Sequence, residues 1–227
     1  MPVAAVLEQY RFVARAGDPL VAPLAESFLR TARAGPATLS VREVRRGRSI
    51  TTMATDLTQD GRLLTTSRLT LLTDRSSGVE WSAPTPLDLP PLEECVEVHA
   101  GPVAHFDRAQ GRLDPRSLPF SGGAEAVVQG YVRPLEGRRV DAAWLAMATD
   151  WFPPPAFVRL APPTGGVSVD LATHVHQPHL VLGDQWLTGA FSIRTSGGGL
   201  AVEHGVLAEQ DGTLVAESFQ TGLTAKD

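Results

Sequence analysis

Along most of the chain apolar and polar residues alternate with the period of two that marks a half-buried strand, and one stretch breaks this pattern. From Ala142 to Ala148 (AAWLAMA) every residue is apolar. Ala, Leu and Met favour helix, and a helix that is apolar all round is a buried one. Asp150 follows this run with Trp151 and Phe152, and Pro153, Pro154 and Pro155 stop the helix. A carboxylate at the end of a buried helix needs a polar partner elsewhere in the chain. A second helix is predicted over residues 2–16, where Val3, Val6, Leu7, Tyr10 and Val13 recur at helical spacing before Gly17 and Pro19.

Strands are predicted over Leu20–Leu29, Ala37–Arg46 and Ser49–Thr58, the last joined to Leu63–Thr73 through Gln59-Asp60-Gly61-Arg62. Asp-Gly between β-rich runs is a hairpin signal. From Asp74 to Val103 the pattern lapses into a proline-rich stretch (Pro84, Pro86, Pro90, Pro91, Pro102), read as a crossing linker. Beyond it, strands are predicted over His105–Gln110, Ala126–Val132, Val167–His176, Trp186–Thr195, Leu200–Gln210 and, after a second Asp-Gly turn, Leu214–Thr224. The ends of the two halves, TQDGRLLTTSRLTLLT and EQDGTLVAESFQTGLT, align without a gap at an offset of 151 residues. The chain is therefore read as an internal repeat of one helix plus a bent antiparallel sheet, an α+β protein. The units are 1–73 and 104–227, with 74–103 as linker.

Composition narrows the function classes. A formal charge of −5 gives no electrostatic case for nucleic acid or an anionic membrane surface. Cys95 is the single cysteine, so neither a disulfide framework nor a cysteine-based zinc site is expected. No apolar run approaches the roughly 18 residues needed to span a bilayer. The start, MPVAAVLEQYRF, is a poor signal peptide, and the expected location is the cytoplasm. Lys226 is the sole lysine among 20 basic residues, which with abundant Ala, Gly and Pro suggests a GC-rich bacterial source.

The doubled helix-and-sheet pattern resembles the double hotdog fold. The segment WLTGAFSIRTSGGGLAVEHGVLAEQDGTLVAESFQTGLT, with its QDG-x-LVA-x-x-x-Q-x-G ending, resembles the C-terminus of acyl-CoA thioesterase II and its relatives. VSVDLATHVHQP resembles that family's strand after the helix, and AWLAMATDWFP its central helix. The resemblance implies hydrolysis of acyl-CoA to free acid and coenzyme A, with neither metal nor bound cofactor. It also implies a trio that holds the attacking water: Asp150 on the helix, Ser168 on the next strand and Gln220 on the last strand. Asp150, beside Trp151 and Phe152, is expected to have a raised pKa. At the repeat offset Gln220 corresponds to Leu69, which assigns chemistry to the second unit alone. Hotdog units open with a strand before the helix, whereas the first unit begins directly with its helix, so either that strand is absent or the start of the sequence is truncated. The exposed edge this leaves points to a homo-oligomer, a dimer or larger.

Other readings stand beside this one. A non-catalytic acyl-CoA-binding or scaffolding member of the fold is the alternative, since Ser168 replaces the commoner Thr. A hydratase would be expected to pair Asp with His on the active helix, and residues 141–157 contain no His. His174, His176 and His179 raise a metal site, packing or a hydrogen bond. Arg42, Arg45, Arg46 and Arg48 either meet the coenzyme A phosphates or form a solvated strand face. The run Gly197-Gly198-Gly199 lacks the GK[ST] of a phosphate loop and is read as a bulge that bends a strand. No G-x-S-x-G supports a serine hydrolase.

Overall fold

A computed structural model of the protein describes residues 20–72, 81–98, 108–135, 138, 140–161, 165–176 and 185–224. The helix expected over residues 2–16 and the histidine at 179 lie outside the described residues. Eleven strands are described. The first four are β1 (Leu20–Phe28), β2 (Thr38–Arg46), β3 (Ile50–Gln59) and β4 (Arg62–Leu72). Then come β5 (Val96–Glu97), β6 (Ala109–Leu113) and β7 (Ala126–Pro134). Helices α1 (Ala142–Ala148) and α2 (Ala156–Arg159) precede β8 (Gly166–Val175), β9 (Leu187–Gly197), β10 (Leu200–Ala208) and β11 (Leu214–Thr224).

All eleven strands form one sheet in the order β2-β3-β4-β1-β8-β11-β10-β9-β7-β6-β5. The repeat is visible in that order: β2-β3-β4-β1 and β9-β10-β11-β8 run through equivalent strands in the same sequence. The two sets meet where β1 pairs antiparallel with β8, Glu26 opposite Leu171. Beside β9 stands β7, the strand directly before α1; among the described residues none stands beside β2. Of the strand expected over His105–Gln110 the part before residue 108 lies outside the described residues, and the described strand there runs from Ala109 to Leu113 beside β7, three residues beyond the expected end. Within the stretch read as linker, Val96 and Glu97 pair with Leu113 and Arg112, and Thr85 N donates to Gly212 O at 3.1 Å.

Helix α1 covers the apolar run, but it ends at Ala148 and not at the Pro153 stop that the sequence suggests, so Asp150 lies past the helix and not on it; six of its seven residues are buried. Asp141 caps its start, accepting a bond from Trp144 N at 2.7 Å. Leu145 and Met147 are at most 1% exposed in a core shared with Leu24, Leu69, Phe191 and Leu207. Burying each such side chain contributes about 1.5–3 kcal/mol, which fixes the helix against the sheet despite its two turns.

The Asp60-Gly61 turn has φ of 50° and 72°, the two positive values of a tight hairpin. The glycine run differs from the expected bulge. Gly198 and Gly199, at φ 61° and 81°, make a two-residue hairpin between Gly197 and its partner Leu200. A bulge lies further along the same strand pair, because Ala201 faces Ser196 whereas Glu203 faces Ile193. The arginines of β2 lie on a solvated edge strand, where Arg46 Nε donates to Glu43 at 2.9 Å.

Glu26 is buried at the junction of the two strand sets, 2% exposed. Burial pushes its carboxyl up to about 8, the charge of Asp150 adds to this, and the hydroxyls of Thr65 and Ser67 only partly offset it. A carboxyl held above its unfolded value gives stability that is full below about pH 4.5 and is lost as pH rises through about 8. Glu26→Gln is therefore expected to match the wild-type melting temperature near pH 5. At pH 8.5 it should exceed it by at least about 3 °C, on the order of 1 kcal/mol for a chain of this size. Paired thermal melts at the two pH values check this, and a gap that fails to widen with pH would refute it.

Candidate active site

Asp150 lies just past the C-terminal turn of α1. Its N–H donates to Met147 O at 3.0 Å, and Trp151 N donates to Ala148 O at 3.2 Å, so the chain tightens as it leaves the helix. Thr149 is pinned by bonds to Ala146 O at 2.9 Å and to the Thr173 hydroxyl at 3.0 Å. The two aromatic residues after Asp150 sit in sockets made by strand glycines. A methyl group on Gly111 of β6 would lie 1.8 Å from the Trp151 ring, and one on Gly189 of β9 would lie 2.6 Å from the Phe152 ring. Phe152 also stacks on Phe191, with ring centroids 4.6 Å apart. These contacts fix the direction of the Asp150 side chain.

Ser168 reaches the site through an irregularity. On β8, Leu171, Thr173 and Val175 face the core, and strict alternation would send Ser168 to the opposite face. Thr221 of β11 faces Asp170 while the next residue, Gly222, faces Ser168, so β8 carries one extra residue. That bulge reverses the alternation and turns Ser168 inward. Asp170 Oδ1 accepts from Thr221 N at 3.1 Å at the same point.

Gln220 joins the other two. Its Nε2 donates to Asp150 Oδ1 at 2.7 Å and to Ser168 Oγ at 2.8 Å. Both amide hydrogens are thereby used, and because the Ser168 oxygen accepts, its own hydrogen is left to donate elsewhere. Among the described residues no hydrogen bond engages Asp150 Oδ2. Burial raises the Asp150 carboxyl to about 6, and the bond from Gln220 only partly opposes it. The three side chains line a cavity of about 520 Å³ whose other walls include Phe120, Phe157, Ile193 and Leu223.

The same cavity wall holds Glu203, which the sequence reading did not single out. It is 8% exposed on β10, directly opposite Gln220. Its neighbours Val202 and His204 face out of the sheet, so Val202 and Glu203 take the reverse of the places their polarity suggests. The strand glycines 111 and 189 were missed as well, although a glycine inside a strand pattern signals close approach by another group. His176 lies away from the cavity with Glu217, which also accepts or shares a 2.7 Å bond with His204. Among the described residues no three His, Cys, Asp or Glu side chains are grouped to hold a metal ion.

In the first strand set the positions equivalent to Gln220 and Ser168 are Leu69 and Val21. Leu69 stands opposite Leu24 as Gln220 stands opposite Leu171, and Val21 opposite Leu71 as Ser168 opposite Gly222. Leu69 is fully buried in the core.

An antiparallel sheet with few helices, one of them buried at its centre, defines a hot dog fold protein. Solved structures agree. A conserved protein of unknown function with a hot dog fold from Alicyclobacillus acidocaldarius superposes with a TM-score of 0.85 at 23% identity, over 97% of this chain and 84% of that one. Acyl-CoA thioesterase II TesB2 from Mycobacterium marinum gives 0.77 at 24% identity, over 99% and 88%. The tesB protein from Mycobacterium avium subs paratuberculosis gives 0.74 at 19%, over 99% and 85%. No curated protein matches the sequence significantly. Residues 2–73 match the family model of the acyl-CoA thioesterase N-terminal domain, and residues 83–224 that of the C-terminal domain. The chain belongs to the acyl-CoA thioesterase family.

Proposed function

We propose that the protein hydrolyses acyl-CoA to a free acid and coenzyme A, using water activated by Asp150. The observation that carries this reading is the single amide of Gln220 gripping both Asp150 and Ser168 on a cavity wall. Oδ2 of ionised Asp150 takes a proton from a water held beside it, and the water oxygen bonds to the thioester carbon. Ser168 donates its free hydrogen to orient the water. Collapse of the tetrahedral intermediate breaks the C–S bond, and the proton taken by Asp150 passes to the leaving thiolate. Apart from the thioester itself, every group in this scheme belongs to the chain or to water.

In this reading the chain is a double hotdog protein, with units 1–73 and 104–227 joined by 74–103 and chemistry confined to the second. It acts in the cytoplasm, and copies associate as a dimer or larger. Among the described residues no helix is long and apolar enough to cross a membrane.

The test is release of free thiol from a panel of acyl-CoA esters, short to long chain. Turnover of at least one ester is expected, and the length profile then reads the depth of the pocket. Binding of acyl-CoA without turnover would replace the enzyme by a non-catalytic acyl-CoA-binding protein. A pH series adds a second check. The base is the ionised form, so kcat/KM is expected to level off above about pH 6 and to fall towards tenfold per unit below it. A plateau continuing down to pH 4.5 would remove Asp150 from the role.

A further inference from the structure

Resting on the thioesterase reading, a second feature of the cavity bears on which acyl group it takes. Glu203 carries a carboxyl into the wall, 8% exposed, and among the described residues no hydrogen bond reaches it. Its aim is built into the backbone. Regular alternation on β10 buries Ala201, Glu203 and Gly205 on one face, and the pairing with β11 runs unbroken through Glu203. A carboxyl that faces a cavity loses its water when a ligand fills that cavity, which costs free energy unless the ligand supplies a partner. Such a group in a ligand cavity calls for a partner supplied by the ligand.

The rest of the wall makes no comparable demand. Phe120, Phe152, Phe157 and Leu223 are apolar, and so are Ile193 and Ala201, which flank Glu203. These are surroundings for a hydrocarbon chain, not for a diphosphate. The needs of Asp150, Ser168 and Gln220 are met by one another, by the water and by the thioester, which leaves Glu203.

We propose that Glu203 is a specificity-determining residue that hydrogen-bonds an oxygen function, hydroxyl or oxo, carried on the acyl chain close to its thioester end. Closeness follows from register. Glu203 and Gln220 are directly opposed on neighbouring strands, so their side chains leave the same face about 5 Å apart. Gln220 holds the groups that flank the reacting carbon. Oxygen rather than an amine follows from charge state. Burial, with the charge of Asp150 at the end of α1, pushes the Glu203 carboxyl up to about 8, so it keeps its proton at neutral pH. A neutral carboxyl both donates and accepts, which suits a hydroxyl or an oxo group, whereas an ammonium needs a carboxylate.

The experiment compares kcat/KM for beta-hydroxyacyl, beta-oxoacyl and unsubstituted acyl-CoA of one chain length, in the wild type, Glu203→Gln and Glu203→Val. The wild type is expected to prefer the oxygen-bearing esters by at least ~10-fold, since a site with a buried polar group rejects analogues that leave it unpaired. Glu203→Gln, still a neutral donor and acceptor, should keep most of that preference. Glu203→Val should abolish or invert it by accepting the plain chain better. Equal turnover of all three esters by the wild type overturns the assignment, with the thioesterase reading intact. A uniform loss on all three in Glu203→Val also overturns it, placing the residue on the coenzyme A side or in support of the fold. No turnover of any ester overturns the thioesterase reading and this assignment with it.

Discussion

Asp150→Asn is expected to lower kcat on a good acyl-CoA ester by about 10²–10⁴-fold, the range for losing a positioned general base. The substitution keeps the oxygen that accepts from Gln220, so the geometry around Ser168 survives while the base is gone. It carries a second signature that general damage would not produce. The Asp150 carboxyl is raised from 3.8 to about 6 in the fold, so the stability it gives is full below 3.8 and lost as pH rises through about 6. At pH 7 its ionised form costs on the order of 2–3 kcal/mol. The variant should thus melt at a higher temperature than the wild type at pH 7 while turning over far less. An inactive and less stable variant would mean that the carboxylate holds the structure together; an active one would move the base elsewhere.

Trp151→Ala is the substitution expected to cost most in stability. Trp151 is fully buried, packs edge-on to Phe152 at 5.3 Å and fills the space left by Gly111. Truncating a buried Trp costs about 3–5 kcal/mol, a fall of roughly 10 °C in melting temperature for a domain of this length. Because the residue next to Asp150 would lose its socket, turnover should fall in the fraction that remains folded. Differential scanning calorimetry with thiol release on the same sample separates the two effects. A melting temperature within 2 °C of wild type, an interval of about 1 kcal/mol or less, would show that the ring does not anchor the end of α1.

Much of this was legible from residue order, for physical reasons that differ from place to place. An all-apolar run is a buried one, so the helix over Ala142–Ala148 was legible, though its end before Asp150 was not, and Asp60-Gly61 marked its turn because few residue pairs tolerate two positive φ values. The meeting of Asp150, Ser168 and Gln220 was reached through family resemblance and not through pattern. Alternation along VSVDLATHV places Ser168 with Asp170 and His174, and only a bulge specified by pairing with β11 returns it to the cavity. Along AVEHGV the alternation is regular and it is polarity that misleads, since it offers the core Val202 and the strand delivers Glu203. Bulges depend on the partner strand, and a single strand read alone does not contain its partner. The glycine sockets escaped for the same reason, since the rings that fill them come from residues 40 and 37 positions away.

The pseudo-equivalence of β4 and β11 has a consequence for how the two copies tolerate change. Where one copy holds Leu69, the other holds an amide that must grip two partners at once. A side chain that only fills space can be exchanged for another of similar volume at less than about 1.5 kcal/mol, whereas Gln220 has no isosteric substitute offering two donors. On the proposed mechanism, the first copy is free to drift among apolar residues while the second is held still. The duplicated chain then ages unevenly, one half recording what the fold permits and the other what the proposed reaction requires.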